Sequence, residues 1–349
     1  MPILTRKYGY LKGKEDLRDE LVVFTDHHVH AFCSLRNVKK NNSVFDLRNL
    51  VLLPQSISDM DQGNLGSCTA NAISYAYVYD EIKQGNQEIF MPSRLFIYYN
   101  ERMIEGTIGM DAGAEIRSGI KSINKYGVCI EKHWAYDTSK FAIKPPAKIY
   151  TEAKLARAVK YARIDLSKDI NIMERVNHLK KSIQSGFPFV FGFIVYESFE
   201  SFETRKSGMV SMPKKDERQC GGHAVCAIGF DDDKKCFIVK NSWGSSWGLN
   251  GYFYLPYNYI GDCTLADDFW IIQRVTDPDN LPGFRPEDIN PASKEISVIL
   301  CSESQPKLII KTINETNNEC DEPLQQQQQQ QQQPPPNNES ITSNYCIIL

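Results

Sequence analysis

The sequence predicts an α+β protein with two lobes, a helical lobe followed by a lobe of antiparallel strands. Apolar residues recur at helical spacing between residues 69 and 186. Strand-like apolar runs dominate residues 187–275, and polar, glutamine-rich sequence follows them. Helices gathered before strands, and not alternating with them, are typical of the α+β class.

Four segments of the first half carry the periodicity and the end signals of helices. The first begins near Thr69 and ends at Gly85. The second, MPSRLFIYYNERM, places Pro92 at its start, where proline is favoured. The third and fourth, residues 114–127 and 169–186, both close on a glycine, the usual residue of a left-handed helix end.

The second half is predicted to form five strands. They span residues 187–196, 223–230, 235–241, 251–256 and 269–275. The sequence DDDKK at residues 231–235 separates the second strand from the third by a tight turn. These two strands are therefore expected to form an antiparallel hairpin.

Composition excludes several classes of function. The chain has 40 basic and 43 acidic residues, so its formal net charge is −3 and gives no electrostatic reason to expect a nucleic-acid partner. No apolar run reaches the roughly 20 residues that a membrane span requires, and the charged N-terminus does not resemble a secretory signal. The ten cysteines are scattered without a CxxC pair, which favours reduced thiols and a cytoplasmic location.

Cys68 lies where a glycine-serine turn becomes a helix, in the sequence QGNLGSCTANA at residues 62–72. A thiol becomes a nucleophile as its thiolate, and its ordinary pKa is about 8.5. The partial positive charge at a helix N-terminus stabilises that anion. Cys68 is therefore a candidate nucleophile, which needs a histidine partner.

His223 is the histidine best placed to be that partner. It follows two glycines at the start of a predicted strand, and Asn241 stands at the end of the next strand. In the predicted hairpin both residues lie at the same end, so Asn241 could hydrogen-bond the imidazole. Trp243, in NSWGSSWG, could cover that bond and keep water away from it.

The segments QGNLGSC, GGHAV and NSWGSSWG, in this order, resemble the three active-site motifs of the papain family of cysteine peptidases. The resemblance implies a papain-like fold with the active site in the cleft between a helical left lobe and a β right lobe. It implies a cysteine endopeptidase that forms a thioester acyl-enzyme on peptide or protein substrates. It also implies a monomer without a cofactor or a metal.

The resemblance assigns roles residue by residue. Cys68 would be the nucleophile, His223 the general base and acid, and Asn241 the residue that orients the imidazole. Gln62 would donate to the oxyanion, together with the backbone N–H of Cys68. Substrate would contact four further residues, namely Gly113, Gly222, Ala224 and Trp243, with Cys263 as another candidate for the pocket.

Two departures from the family pattern indicate a branch of it. Leu65 replaces a cysteine that forms a disulfide in secreted members, and Thr69 replaces a tryptophan. With the PSRLFIYYNER segment, these residues resemble a reduced, xylellain-like branch.

The same comparison divides the chain into three regions. Residues 46–275 resemble the peptidase domain, and residues 1–45 resemble a short pro-segment. Residues 1–45 are expected to block the site until they are cut or displaced, and their apolar stretch LVVF at residues 21–24 could lie in the substrate groove. Residues 276–349, with nine consecutive glutamines, are expected to be mostly disordered.

Cys346 begins the final four residues, CIIL, which match a prenylation signal of the geranylgeranyl type. Prenylation would give peripheral contact with a membrane. An unmodified thiol is the alternative.

Other interpretations remain open from the residues alone. Cys68 could be a buried structural cysteine, and DHHVHAFC at residues 26–33 could hold a metal ion instead of forming a loop. The chain could be a catalytically silent binding module with the glutamine tract as its recruiting tail. A transglutaminase-like acyltransferase is a further alternative, which Asn241 disfavours because such enzymes generally carry aspartate there.

Overall fold

A computed structural model describes residues 6–39, 42–86, 89–158, 160–166 and 170–275. The glutamine tract and Cys346 lie outside the described residues, so the disorder and prenylation of the tail stay predictions. Within the described residues, no helix is long and apolar enough to cross a membrane. No disulfide bond joins any two cysteines of the same residues.

Helices dominate the first half of the chain, as predicted, and two short ones lie among the later strands. The α-helices of the described residues are α1 (Asp26–Leu35), α2 (Gln55–Ser58), α3 (Cys68–Gln84), α4 (Arg94–Glu105), α5 (Ile116–Lys125), α6 (Ala147–Ala153), α7 (Ile172–Gln184), α8 (Phe202–Ser207) and α9 (Tyr257–Gly261). The predicted glycine ends are confirmed, since Gly85, Gly127 and Gly186 all have φ near +80° just beyond a helix.

The predicted start of α4 at Pro92 is wrong by two residues. Ser93 is the N-cap, and its hydroxyl accepts a hydrogen bond from the N–H of Phe96 at 3.1 Å. Pro92 instead forms an isolated bridge with Ile130 before the helix begins.

All five predicted strands are present, and the described residues form five further strands, of which β1 and β4 make a separate two-stranded sheet. The strands are β1 (Tyr10–Leu11), β2 (Leu21–Val22), β3 (Val44–Asp46), β4 (Ala114–Glu115), β5 (Lys160–Ile164), β6 (Phe189–Tyr196), β7 (Gln219–Asp231), β8 (Cys236–Lys240), β9 (Tyr252–Pro256) and β10 (Ala266–Arg274). The main sheet has the order β2-β5-β10-β6-β7-β8-β9, with β3 also on β7, and its pairs are antiparallel apart from β2 with β5.

The hairpin of β7 and β8 is confirmed, and it positions the predicted site. The two strands pair in antiparallel register from Cys226 with Lys240 to Asp231 with Cys236. Because β7 extends back to Gln219, His223 lies inside a strand and not at its start.

Helix α3 joins the two lobes. Residues 68–81 of this helix are all buried, because it packs against the left-lobe helices on one side and against β7 on the other. An apolar cluster surrounds α3, and a second fills the β lobe between the sheet and helices α1 and α7. The N-terminus of α3 therefore opens at the boundary between the lobes.

The DHHVHAFC segment forms helix α1 and not the loop or metal site that the sequence left open. Val29, Phe32 and Cys33 of this helix are buried in the core of the β lobe. His28 Nδ1 accepts from the backbone N–H of Thr25 at 3.1 Å. In the described part of the chain, no group of three or more histidine, cysteine or acidic side chains is arranged to hold a metal ion.

Candidate active site

Cys68 is the first residue of α3, and its side chain is completely buried. Its sulfur accepts a hydrogen bond from the backbone N–H of Ala224 on β7 at 3.4 Å. The thiol therefore lies at the helix N-terminus, as predicted, directly against the strand that carries His223.

His223 and Asn241 meet at one end of the β7–β8 hairpin, as the turn position predicted. Nε2 of His223 lies 2.9 Å from Oδ1 of Asn241. The indole of Trp243 stacks on the imidazole, with ring centroids 5.2 Å apart and an interplanar angle of 29°. Phe193 and Phe199 pack around the same ring. The arrangement fixes the imidazole and leaves Nδ1 without a hydrogen-bond partner among the described residues.

Gln62 is buried beside Cys68, with its amide held at both ends. Its Nε2 donates to the carbonyl of Leu65 at 2.9 Å and to that of Lys7 at 3.1 Å. Its Oε1 accepts from the hydroxyl of Ser242 at 2.7 Å. Ser242 was missed by sequence reasoning, although its position next to Asn241 was a signal.

The protonation state of the site differs from the expected thiolate. Burial raises the pKa of the Cys68 thiol to about 11, although backbone N–H groups of Ala224 and Gly9 oppose this effect. Burial likewise lowers the pKa of His223 to about 4. At neutral pH both groups are therefore uncharged, because desolvation outweighs the helix N-terminus.

The N-terminal segment causes this burial. Residues 6–12, called the plug from here on, run through the cleft over Cys68. Tyr10 and Leu11 of the plug form β1, which pairs in parallel with β4, and the Ala114 N–H donates to the Gly9 carbonyl at 2.8 Å.

The stretch of residues 1–45 that was expected to lie in the groove is the wrong one. LVVF does not lie in the cleft, because Leu21 and Val22 pair in parallel with β5 at the edge of the main sheet. The groove is filled instead by the more polar residues 6–12, whose side chains bond to groups on both walls.

Charged and aromatic contacts hold the plug along its length. Arg6 forms an ion pair with Asp61, and Lys7 Nζ lies 2.6 Å from Asp111 Oδ2. Tyr8 hydrogen-bonds Glu200 and packs against Trp243 and His223. The plug therefore contacts groups from both lobes.

Gly9 and the glycines of the cleft walls allow the plug to pass closely. A Cβ atom built on Gly9 would lie 1.9 Å from the Gly66 carbonyl oxygen. One on Gly113, where φ is +79°, would lie 2.2 Å from the Gly9 oxygen, and one on Gly222 would lie 2.6 Å from the Tyr10 oxygen. The backbone of the plug therefore lies against Gly113 and Gly222, the two glycines that were predicted to contact substrate.

Of the other residues predicted to contact substrate, two lie at the plug and one lies elsewhere. Trp243 touches the plug through Tyr8, and Ala224 lies beneath the plug with its N–H on Cys68. Cys263 is exposed and lines a cavity next to the end of the plug, away from the reacting thiol.

Known proteins are similar to this chain in sequence and in fold. The family model of papain family cysteine proteases matches residues 42–272. An uncharacterized peptidase C1-like protein, L477, of Acanthamoeba polyphaga mimivirus is 57% identical over 297 residues, which cover 84% of this chain and 95% of that one.

Solved structures are similar over most of the described residues. Xylellain, a cysteine protease from Xylella fastidiosa, is 36% identical with a TM-score of 0.65, covering 78% of this chain and 98% of its own. Procathepsin B S9 from Trypanosoma congolense is 17% identical with a TM-score of 0.57 and covers 77% of this chain and 85% of its own, a likeness of fold alone. The predicted two-lobed α+β fold is confirmed.

Proposed function

Since this chain belongs to the papain family of cysteine proteases, we propose that it is an endopeptidase with Cys68, His223 and Asn241 as its catalytic triad. The hydrogen bond of 2.9 Å between His223 Nε2 and Asn241 Oδ1 carries this proposal. It fixes the imidazole on the strand that also donates an N–H to Cys68. Trp243 excludes water from that bond.

Acyl transfer follows from these positions. The Cys68 thiol gives its proton to His223 Nδ1, and the sulfur forms a bond to a peptide carbonyl carbon. The oxyanion accepts hydrogen bonds from Gln62 Nε2 and the Cys68 N–H. When the C–N bond breaks, imidazolium gives its proton to the leaving amine. Water then attacks the thioester, gives a proton to His223, and releases the acid and the thiol.

We also propose that the plug, residues 6–12, holds the full chain inactive. The Lys7 carbonyl oxygen accepts a hydrogen bond from Gln62 Nε2 at 3.1 Å. This is the donor that the oxyanion would need. The plug also buries Cys68 and His223, so the thiol is protonated and the imidazole is neutral. Activity therefore requires that residues 6–12 leave the cleft.

An opened enzyme allows the triad to be tested. We suggest the full chain with a recognition sequence for a specific protease inserted between Lys14 and Glu15, folded first and cut afterwards. This insertion leaves helix α1 and strand β2 attached, so only the plug and the residues before it are released.

The opened enzyme is expected to hydrolyse a peptide that is blocked at both ends, as an endopeptidase must. The change Gln62→Ala should lower kcat by roughly 10²–10³, the loss typical of one oxyanion donor. Steady-state kinetics on the blocked peptide measure this loss. Gln55→Ala is the matched control, because Gln55 is an exposed glutamine on α2.

Two results would contradict these assignments. If only peptides with a free end are cut, the endopeptidase mode is wrong. If Gln62→Ala raises KM with kcat unchanged, Gln62 binds the ground state and does not stabilise the oxyanion.

A further inference from the structure

The side chain of Tyr10 enters a pocket in the wall of the cleft. A Cβ atom on Gly192 would lie 2.0 Å from the Tyr10 ring, and one on Gly222 would lie 3.0 Å from it, so these two glycines make room for the ring. At the far end, the Tyr10 hydroxyl donates to Asp267 Oδ1 at 2.5 Å. The pocket is therefore built from glycine walls and an acidic end.

Three carboxylates gather at this end. Lys12 of the plug also forms an ion pair with Asp267. Asp268 accepts from Trp270 Nε1 at 2.7 Å through Oδ1, and its buried Oδ2 has no hydrogen-bond partner among the described residues. A Cβ on Gly13 would lie 3.3 Å from Glu115 Oε2 and 3.4 Å from Asp268 Oδ2, so both oxygens face the residue that directly follows the plug.

The backbone of β10 turns Asp268 to this position. Asp268 has φ of +59°, and the register with β6 shifts between Asp267 and Trp270. A β-bulge of this kind redirects a side chain that regular pairing would leave on the sheet face. Burial raises the pKa of Asp268 to about 6, so its carboxylate is still mostly ionised at neutral pH.

Cations near the pocket leave the carboxylates incompletely neutralised. Arg117 and Arg163 both act on Asp268, but Arg117 lies 2.5 Å from Asp19 and is already paired there. When the plug leaves, Asp267 loses both the Tyr10 hydroxyl and the Lys12 ammonium. A substrate side chain that donates to Asp267 would be favoured there, because it replaces the contacts that the plug made with this partly buried carboxylate.

There is room for a side chain longer than tyrosine. Asp267 and Asp268 also line a cavity of about 640 Å³, together with Phe269, Arg163 and Arg175. A phenol reaches one carboxylate oxygen with one donor. A guanidinium has five donors in a planar fork and could bond both aspartates.

We infer that the acidic pocket of Glu115, Asp267 and Asp268 selects substrates with arginine, and next lysine, at the position bound there. This inference rests on the proposed peptidase function and names its substrate class. Asp267 is the specificity-determining residue, because it binds both Tyr10 and Lys12 of the plug. The plug thus fills the pocket with the phenol of Tyr10, which has one donor for the carboxylates where arginine has five.

Libraries of peptides blocked at both ends, varied at one position at a time, test the inference on the opened enzyme. At one position, kcat/KM is expected to be about 10–100-fold higher for the peptide with arginine than for the peptide with leucine. This is the range of loss when a ligand leaves the polar groups of its site without a partner. Asp267→Asn should remove most of this preference, because it lowers kcat/KM for the arginine peptide far more than for the leucine peptide. Asp165→Asn is the matched control, since it removes a carboxylate elsewhere on the cavity wall.

The outcomes separate the two proposals. Cleavage with leucine preferred, or an arginine preference that Asp267→Asn leaves intact, overturns the acidic pocket and spares the peptidase. Failure to cleave any library member overturns the peptidase proposal and the inference with it. If Asp267→Asn unfolds, as its thermal melting would reveal, Asp267→Glu serves instead, and loss of arginine preference with the displaced carboxylate is then expected.

Discussion

Replacing Cys68 with alanine is expected to abolish peptide hydrolysis by the opened enzyme, with a loss in kcat of roughly 10⁵-fold or more. Without the sulfur no acyl-enzyme forms, and the imidazole of His223 has no thiol to deprotonate. The fold should persist, because the change removes one sulfur atom from the end of a helix whose other contacts remain. Turnover of a blocked peptide and the thermal melting temperature measure the two effects.

Cys129→Ala is the matched control for Cys68→Ala. Cys129 is also a buried thiol, but it lies in a small left-lobe cluster with Phe96 and Ile149. Its loss should lower stability without changing kcat. Equal activity of Cys68→Ala and Cys129→Ala would exclude the thiol mechanism, whereas no turnover by the opened enzyme itself would favour a catalytically silent binding module.

The change Gly9→Val, made in the uncut full chain, is expected to raise peptidase activity by about 10–100-fold. A Cβ at this position would lie 1.9 Å from the Gly66 oxygen, so the plug cannot keep its path. Overpacking of this kind costs about 1–3 kcal/mol, and each 1.4 kcal/mol changes the open fraction about tenfold. Initial rates on a blocked peptide measure the gain.

Gly109→Val is the matched control for Gly9→Val. It makes the same substitution at an exposed glycine, where no atom lies within 4 Å of the added Cβ. Its activity should equal that of the unaltered chain. If Gly9→Val behaves like this control, the plug does not limit activity, and the inhibition proposal fails.

The positions of Cys68, His223 and Asn241 could be predicted because each depends on short-range signals. A glycine-serine turn placed Cys68 at the start of a helix, and the turn at residues 231–235 brought His223 and Asn241 to the same end of a hairpin. Gln62 followed from its motif. These placements need only local turns and strand pairing, which sequence patterns encode directly.

The plug could not be predicted, because its partners are distant in sequence. Gly9 lies opposite Gly66 and Gly113. In a sequence, a glycine more often indicates a turn than a place where two segments of backbone pass closely. LVVF was chosen because it is apolar, whereas the cleft binds the plug by polar contacts. Strand β5 was missed for a related reason, since its five residues alternate within a polar stretch and pair with β2 and β10, which are both distant in sequence.

The direction of the thiol pKa was also beyond sequence analysis. A helix N-terminus predicts a lowered value, but burial by the plug raises it to about 11. The closed protein therefore combines a blocked cleft with an unreactive thiol. Release of the plug should return solvent to Cys68 and His223, after which the imidazolium can stabilise the thiolate.

Covalent labelling of Cys68 by an epoxysuccinyl probe at neutral pH, timed in the full chain before and after release of the plug, tests the central claim most directly. Peptide mapping by mass spectrometry identifies the labelled cysteine, and exposed Cys263 reports non-specific reaction. We expect slow labelling of Cys68 in the closed chain and labelling at least about tenfold faster once the plug is released, a larger gain than at Cys263. Equal rates of Cys68 labelling in the two forms, or modification that bypasses Cys68, would contradict inhibition by the plug.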